Sequence, residues 1–254
     1  MPSNYKQQVV DLVKCIETRD KKALECINPE KFIQHNLSIG DGLKGFQAYL
    51  DSLPTGSTKV RTVRVLQDGD FVFAHSEYDL SGPKVGFDIF RFEDGRVVEH
   101  WDNLQDAASG PSPSGHTMTD GPTTPSDLER TDLNKALMRA YMADLLQGRR
   151  DRFATYFDGS RYIQHNPWVA DDLAGLFSGL QALAKRGLAV KYDRVHQVLG
   201  EGDFVLVVAE GAFGAAPTSY FDFYRIQGGR LAEHWDTLQP IPPSADWKND
   251  NGKF

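Results

Sequence analysis

Phe32-Ile33-Gln34-His35-Asn36 returns 130 residues later as Tyr162-Ile163-Gln164-His165-Asn166, and this recurrence decides the architecture. Further out, Gly69-Asp70-Phe71-Val72 returns as Gly202-Asp203-Phe204-Val205, and Phe87-Asp88-Ile89-Phe90-Arg91 as Phe221-Asp222-Phe223-Tyr224-Arg225. Glu99-His100-Trp101-Asp102 returns as Glu233-His234-Trp235-Asp236. Four blocks in one order at nearly constant spacing mean a duplicated domain. The division that follows is a first domain at 1–105, a flexible linker at 106–131, a second domain at 132–240 and a loosely held C-terminal tail at 241–254. The linker reading rests on Gly110-Pro111-Ser112-Pro113-Ser114-Gly115 and Gly121-Pro122-Thr123-Thr124-Pro125, which carry no apolar period.

Composition narrows the function classes. With 254 residues, 40% of them hydrophobic and 25% charged, each half can bury its own core. A formal charge of -7 offers no basic surface for phosphate, so nucleic acid is not an expected partner. Met1 to Lys14 mixes polar and apolar residues without a continuous apolar run, so neither a leader nor a membrane span is read there, and a cytoplasmic location is expected. The two cysteines, Cys15 and Cys26, are too few for a disulfide framework or a thiolate metal site, and Leu145 and Tyr156 replace them in the second copy. They read as small buried hydrophobes.

Each copy runs in the same order. Val9, Leu12, Val13 and Ile16 fall at helical spacing, as do Leu137, Tyr141, Leu145 and Leu146. A short second helix, a brief strand carrying Gln-His-Asn and a third helix near Leu43–Leu50 or Leu173–Ala184 come next. Extended runs follow at 58–67, 70–80, 84–93 and 96–104, mirrored at 188–199, 203–213, 218–227 and 230–239. Asp94-Gly95 and Gly228-Gly229 are hairpin turns between the last two strands. Helices first and an antiparallel meander afterwards is an α+β plan.

The order helix, helix, Ile163-Gln164-His165-Asn166-Pro167, helix, Phe-Asp-x-Phe/Tyr-Arg, glycine turn and Glu-His-Trp-Asp resembles the SnoaL-like branch of the nuclear transport factor 2 superfamily, over nearly all of both halves. The resemblance implies two cone-shaped α+β roll domains, each with N-terminal helices packed on a curved, mostly antiparallel sheet around a pocket. It implies an intramolecular pseudo-dimer of the two domains and leaves further oligomerisation open. It also implies a cofactor-independent acid/base enzyme of the aldol-condensation or cyclase type, polyketide cyclase-like, acting on a small, mostly apolar carbonyl compound. The alternative within the same superfamily is a non-catalytic small-ligand-binding or pairing module.

Alternation along a strand selects the site residues. Asp88 shares a face with Phe90 and Phe92, and His100 with Asp102 and Val98; the hairpin brings Asp88 near His100 and Asp102. Asp222, Tyr224, His234 and Asp236 repeat the pattern. The expected catalytic set is therefore Asp88, His100, Asp102, Asp222, His234 and Asp236, with each strand-centre Asp as base and the His supporting the enolate oxygen. His35, Asn36, Phe90, His165, Asn166, Trp168 and Tyr224 are expected ligand contacts, although the two His-Asn pairs can equally build the turn into the third helix. Trp101 and Trp235 have the opposite parity and are expected to pack on helices. A locked His-Asp pair and a hydrogen-bonded core Asp are the structural alternatives. No metal is expected, because no pair of histidines lies at ligand spacing, and no organic cofactor either. Gly86 and Tyr220 stand where epoxide-hydrolase-like relatives need an arginine, which weighs against a water-activating Asp-Arg-Asp site.

Overall fold

The computed structural model describes residues 4–54, 56–158 and 161–254. It divides into two compact units, Met1–Asp106 with Pro242–Phe254, and Ala107–Ile241. In the first, helix α1 (Tyr5–Thr18) precedes β1 (Ile33–Gln34), α2 (Gly42–Ser52), β2 (Lys59–Asp68), β3 (Phe71–Asp79), β4 (Pro83–Glu93) and β5 (Arg96–Asp106). The sheet order is β1-β5-β4-β3-β2, with β1 parallel to β5 and the other pairs antiparallel. The second unit repeats this with α3 (Thr131–Leu146), β6 (Ile163–Gln164), α4 (Asp172–Lys185) and β7 (Val190–Glu201) to β8 (Phe204–Phe213), β9 (Ala216–Gln227) and β10 (Arg230–Pro240), in the order β6-β10-β9-β8-β7. Both units are α+β, as expected.

Sequence chemistry accounts for the elements. Val9, Leu12, Val13 and Ile16 form one apolar stripe that α1 lays on β2 and β3; each such burial contributes about 1.5–3 kcal/mol. Asp94-Gly95 and Gly228-Gly229 have positive φ throughout, 50° and 80°, then 58° and 74°, which is the two-residue turn whose twist matches a hairpin. One parity expectation fails at a bulge. Arg91 pairs with Glu99 but Phe92 pairs with Val97, so Val98 is the extra residue; Val97 joins the cluster that packs with α1, and Val98 is buried outside that cluster.

The segments read as a flexible linker at 106–131 and a loosely held tail at 241–254 are instead bonded straps. In the second unit the Ser126 N–H donates to the Asp203 carboxylate (2.7 Å) and the Trp235 indole N–H to the Asp120 carbonyl (3.0 Å). In the first, the Lys248 N–H donates to the Leu37 carbonyl (2.8 Å), and the Asn249 amide to those of Asn36 and Ile39 (2.9 Å each). A lack of apolar period shows only that a segment has no core of its own. Its polar groups remain able to satisfy backbone donors and acceptors elsewhere. Among the described residues no helix is long and apolar enough to cross a membrane.

Candidate functional site

Alternation sorts every repeated motif onto two faces. In Gln34-His35-Asn36 the first and third side chains turn inward; in Glu99-His100-Trp101-Asp102 the second and fourth do. The His100 Nδ1 meets Gln34 Oε1 (2.9 Å) and its Nε2 meets Asp88 Oδ1 (3.1 Å). Gln34 Oε1 already accepts from the Asn36 N–H (2.8 Å), which fixes it as the amide oxygen and makes Nδ1 the proton-bearing nitrogen. The contact between Nε2 and Asp88 is therefore bridged by a proton. The Tyr78 hydroxyl donates to the other Asp88 oxygen, and the Asn36 amide to Asp102.

The second unit repeats this chain with wider spacing. His234 Nδ1 meets Gln164 Oε1 (3.0 Å), Nε2 meets Asp222 Oδ1 (3.1 Å), and the Asn166 amide donates to Asp236 Oδ2 (2.7 Å). Tyr192 supplies the hydroxyl to Asp222, 3.1 Å from both oxygens. Burial alone would lower the His234 pKa, but its bond to Asp222 and the charges of Asp236 and Asp222 outweigh it and raise the value above 6.5. Burial, with the Asp222 charge added, raises the Asp236 carboxyl from 3.8 to about 6 against the opposing pull of His234, Asn166 and His165. Asp236 Oδ1 is buried with no hydrogen-bond partner.

The two cavities differ sharply. Asp88, His100, Asp102, Asn36 and Phe90 border a space of only about 30 Å³ in the first unit, filled by Phe46, Tyr49, Leu104 and their neighbours. The second encloses about 520 Å³, with His234, Asp236, Asn166, Gln164 and Tyr224 at a polar patch within a tyrosine- and leucine-rich wall. Trp168 lines it, stacked on Phe213 at 5.9 Å. Asp222 does not border this cavity; it is 1% exposed and stands behind His234.

Other expectations are corrected on the outer face. His35 and His165, expected as ligand contacts, point away from the cavities because a strand turns neighbouring side chains to opposite sides. His35 stacks on Trp101 (4.9 Å) and meets Glu99 (3.1 Å); His165 stacks on Trp235 (4.5 Å) and meets Glu233 (2.8 Å). Burial would raise both glutamates, but these histidines with Arg91 and Arg225 hold them low. Trp101 and Trp235 thus pack on histidine rings and sheet aromatics rather than on helices. Nor is either site histidine placed to support an enolate oxygen, since both ring nitrogens are engaged.

Gln34, Gln164, Tyr78, Tyr192 and Lys253 escaped the sequence reading. The glutamines were legible: each neighbours a selected histidine and shares the repeated triplet. The tyrosines were not, because they lie on different strands in the two copies. In each copy the Asp-His-Asp set brings its ligand atoms within 4.8 Å, close enough to hold a metal ion. Its donors are already spoken for, with histidine nitrogens on Gln and Asp and one Asp oxygen on Asn, so the side chains fit a proton chain better than a cation.

Residues 9–100 match the family model described as a SnoaL-like domain. Solved structures with similarity include TsrD from Streptomyces laurentii, at 18% identity over 41% of this chain and 90% of that one, TM-score 0.35. Others are IdmH from Streptomyces antibioticus, a candidate polyketide cyclase (18%, 40% and 92%, 0.35), and a candidate ketosteroid isomerase from Kribbella flavida (19%, 45% and 84%, 0.36). A comparison with curated proteins finds no match.

Proposed function

We propose that the second cone, in a chain whose residues 9–100 match the SnoaL-like domain model, is a cofactor-independent acid/base site for a small, mostly apolar carbonyl compound, with Asp236 moving the proton. The observation that carries this is the unpaired Asp236 Oδ1 on the wall of a cavity of about 520 Å³. A carboxyl titrating at about 6 exists in both forms near neutrality, which is what a general base needs. In the step, Asp236 takes a proton from the carbon beside the carbonyl, and the carbon–hydrogen electron pair moves into the carbonyl to give the enolate. Protonation or attack on a second carbonyl then returns the electrons. Asp222 and Gln164 hold His234 in place beside Asp236. The first unit favours the pairing form of the second reading, a module without catalysis, because its cavity of about 30 Å³ admits no small molecule.

The test is deuterium incorporation next to the carbonyl of a panel of aryl ketones in heavy water, followed by NMR. The protein should accelerate exchange, and Asp236→Asn should lower the rate about 10²- to 10⁴-fold while keeping the cavity's shape. Exchange that survives Asp236→Asn unchanged would refute the assignment, and exchange lost on adding chelator would replace it with a metal mechanism.

A further inference from the structure

The two straps meet their units in the same way, and this reveals a difference that the repeated motifs conceal. In the first unit Asn251 donates to Asp41 (2.6 Å) and the Gly252 carbonyl faces His35 Nδ1 (2.9 Å). In the second, His116 pairs with Asp171 (3.5 Å) and the Thr117 carbonyl faces His165 Nδ1 (2.8 Å). Asp41 and Asp171 are themselves equivalent, each accepting from the backbone N–H of Gln34 or Gln164. One residue further along, the first unit has Lys253 and the second has Met118. Both side chains are buried, 6% and 8% exposed. The Lys253 ammonium donates to the Asp102 carbonyl (2.7 Å) and lies 3.4 Å from its carboxylate. The equivalent oxygen in the second unit, Asp236 Oδ1, has no partner.

We propose that Lys253 is a built-in counter-cation that silences the acid of the first cavity, and that Met118 in the matching strap position leaves Asp236 able to work in the second. The two acids share an Asp-His core and differ in the tyrosines around it. Asp102 faces Asp88 on β4, His100 on β5, Tyr78 on β3 and Tyr49 on α2. Asp236 faces Asp222 on β9, His234 on β10, and Tyr162, Tyr192 and Tyr220 on the surrounding wall, and it feels the charge of His165 from the outer face. Lys253 places its ammonium on Asp102 itself, whereas the strap histidine of the second unit, His116, pairs with Asp120 and Asp171 instead of with Asp236. An ammonium at this distance favours the ionised carboxylate, whereas a thioether leaves burial to favour the protonated acid. Lys253 itself follows the same balance. Burial pulls its pKa below 10.5 while Asp102 and Asp88 push it back up. The idea rests on the proposed role of Asp236 only for what the second cavity does; the difference in strap residue stands without it.

The experiment is the site-resolved carboxyl titration of the full chain by carbon-13 NMR, which reads ionisation and needs no substrate. In the parent protein the aspartate Asp236 should titrate at about 6. In Lys253→Met a second should join it, displaced upward by about one to two pH units, whereas Lys253→Arg should leave the pattern as it was. Met118→Lys should do the reverse and move the Asp236 titration down from about 6 by a similar amount. A Lys253→Met protein whose amide spectrum is intact but which shows no new titration would overturn the proposal. If that variant loses the first unit's fold, Met118→Lys decides: an unmoved Asp236 titration overturns it, and a lowered one supports it. Because deuterium exchange and titration are read separately, an inactive protein with the expected titrations would refute the catalytic reading alone.

Discussion

Replacing Asp236 with Asn should make the second unit's stability less dependent on pH, by an amount that follows from its burial. The carboxyl rises from 3.8 to about 6 on folding, so its protonated form is the one the native state prefers. The associated stabilisation is complete below 3.8 and is lost as pH climbs through about 6. A shift of about 2 units at about 1.4 kcal/mol each amounts to about 3 kcal/mol, of which about half is already gone at about pH 5. The remaining 1.5 kcal/mol or so, lost between about pH 5 and about pH 7.5, is what Asn removes, because it cannot ionise and its oxygen can still accept from Asn166. His234 acts in the same sense: the stabilisation from its raised pKa is complete below 6.5 and is lost as pH rises through its higher folded value. Since Asp222 supports much of that rise, part of the slope should persist in the variant. Amide hydrogen exchange in β9 and β10, corrected for intrinsic rates, reads the second unit by itself. Asp236→Asn should gain about 1.5 kcal/mol on the parent between the two pH values. Parallel pH profiles for the two proteins would refute the reasoning.

Two further outcomes follow from the packing. Tyr192→Phe removes the hydroxyl shared by both Asp222 oxygens and should cost the second unit about 1–3 kcal/mol by hydrogen exchange, with no change in the first; an unaltered stability would show that the bond contributes nothing. Gly121→Ala should loosen the strap, because φ is 90° there and a Cβ would come 2.6 Å from Glu233 Oε1 and 2.9 Å from Trp235; the expected loss is about 1–3 kcal/mol, seen as faster exchange at the Trp235 indole. Unchanged indole protection would refute that.

The repeat, the strand parity and the hairpin turns carried the fold into view, because alternation and positive φ leave marks in any single sequence. Asp88, His100 and Asp102 were found together by the same logic, as were His234 and Asp236. What failed did so for identifiable reasons. His35 and His165 were grouped with their neighbours by sequence, although a strand turns adjacent side chains apart. Val98 was misplaced because a bulge has no signature in its own residues. The straps were misread because Ser, Gly and Pro report the absence of a private core, and Thr117, Asp120 and Gly252 act through backbone carbonyls that any residue carries. Lys253 therefore looked like one more polar residue of a tail.

The tyrosines that hold Asp88 and Asp222 reveal how the copies diverged while keeping the same chain of groups. Tyr78 pairs across the strands with Val60; the equivalent pair in the second unit is Gly211 with Tyr192. Large and small have exchanged places, so the hydroxyl now reaches Asp222 from the neighbouring strand. Gly211 accommodates the exchange closely, since a Cβ there would come 1.9 Å from the Lys191 carbonyl and 2.9 Å from the Tyr192 Cα. A buried aspartate without a donor costs several kcal/mol, so loss of one tyrosine is tolerable only when another supplies the bond. The bond was kept, yet the surroundings were not: one cavity is filled and its acid faces a lysine, while the other is open and its acid has an unpaired oxygen. That combination ties the Asp-His-Gln chain to the integrity of both folds, and under the function proposed above it leaves chemistry to the side chain that differs in its partners, Asp236.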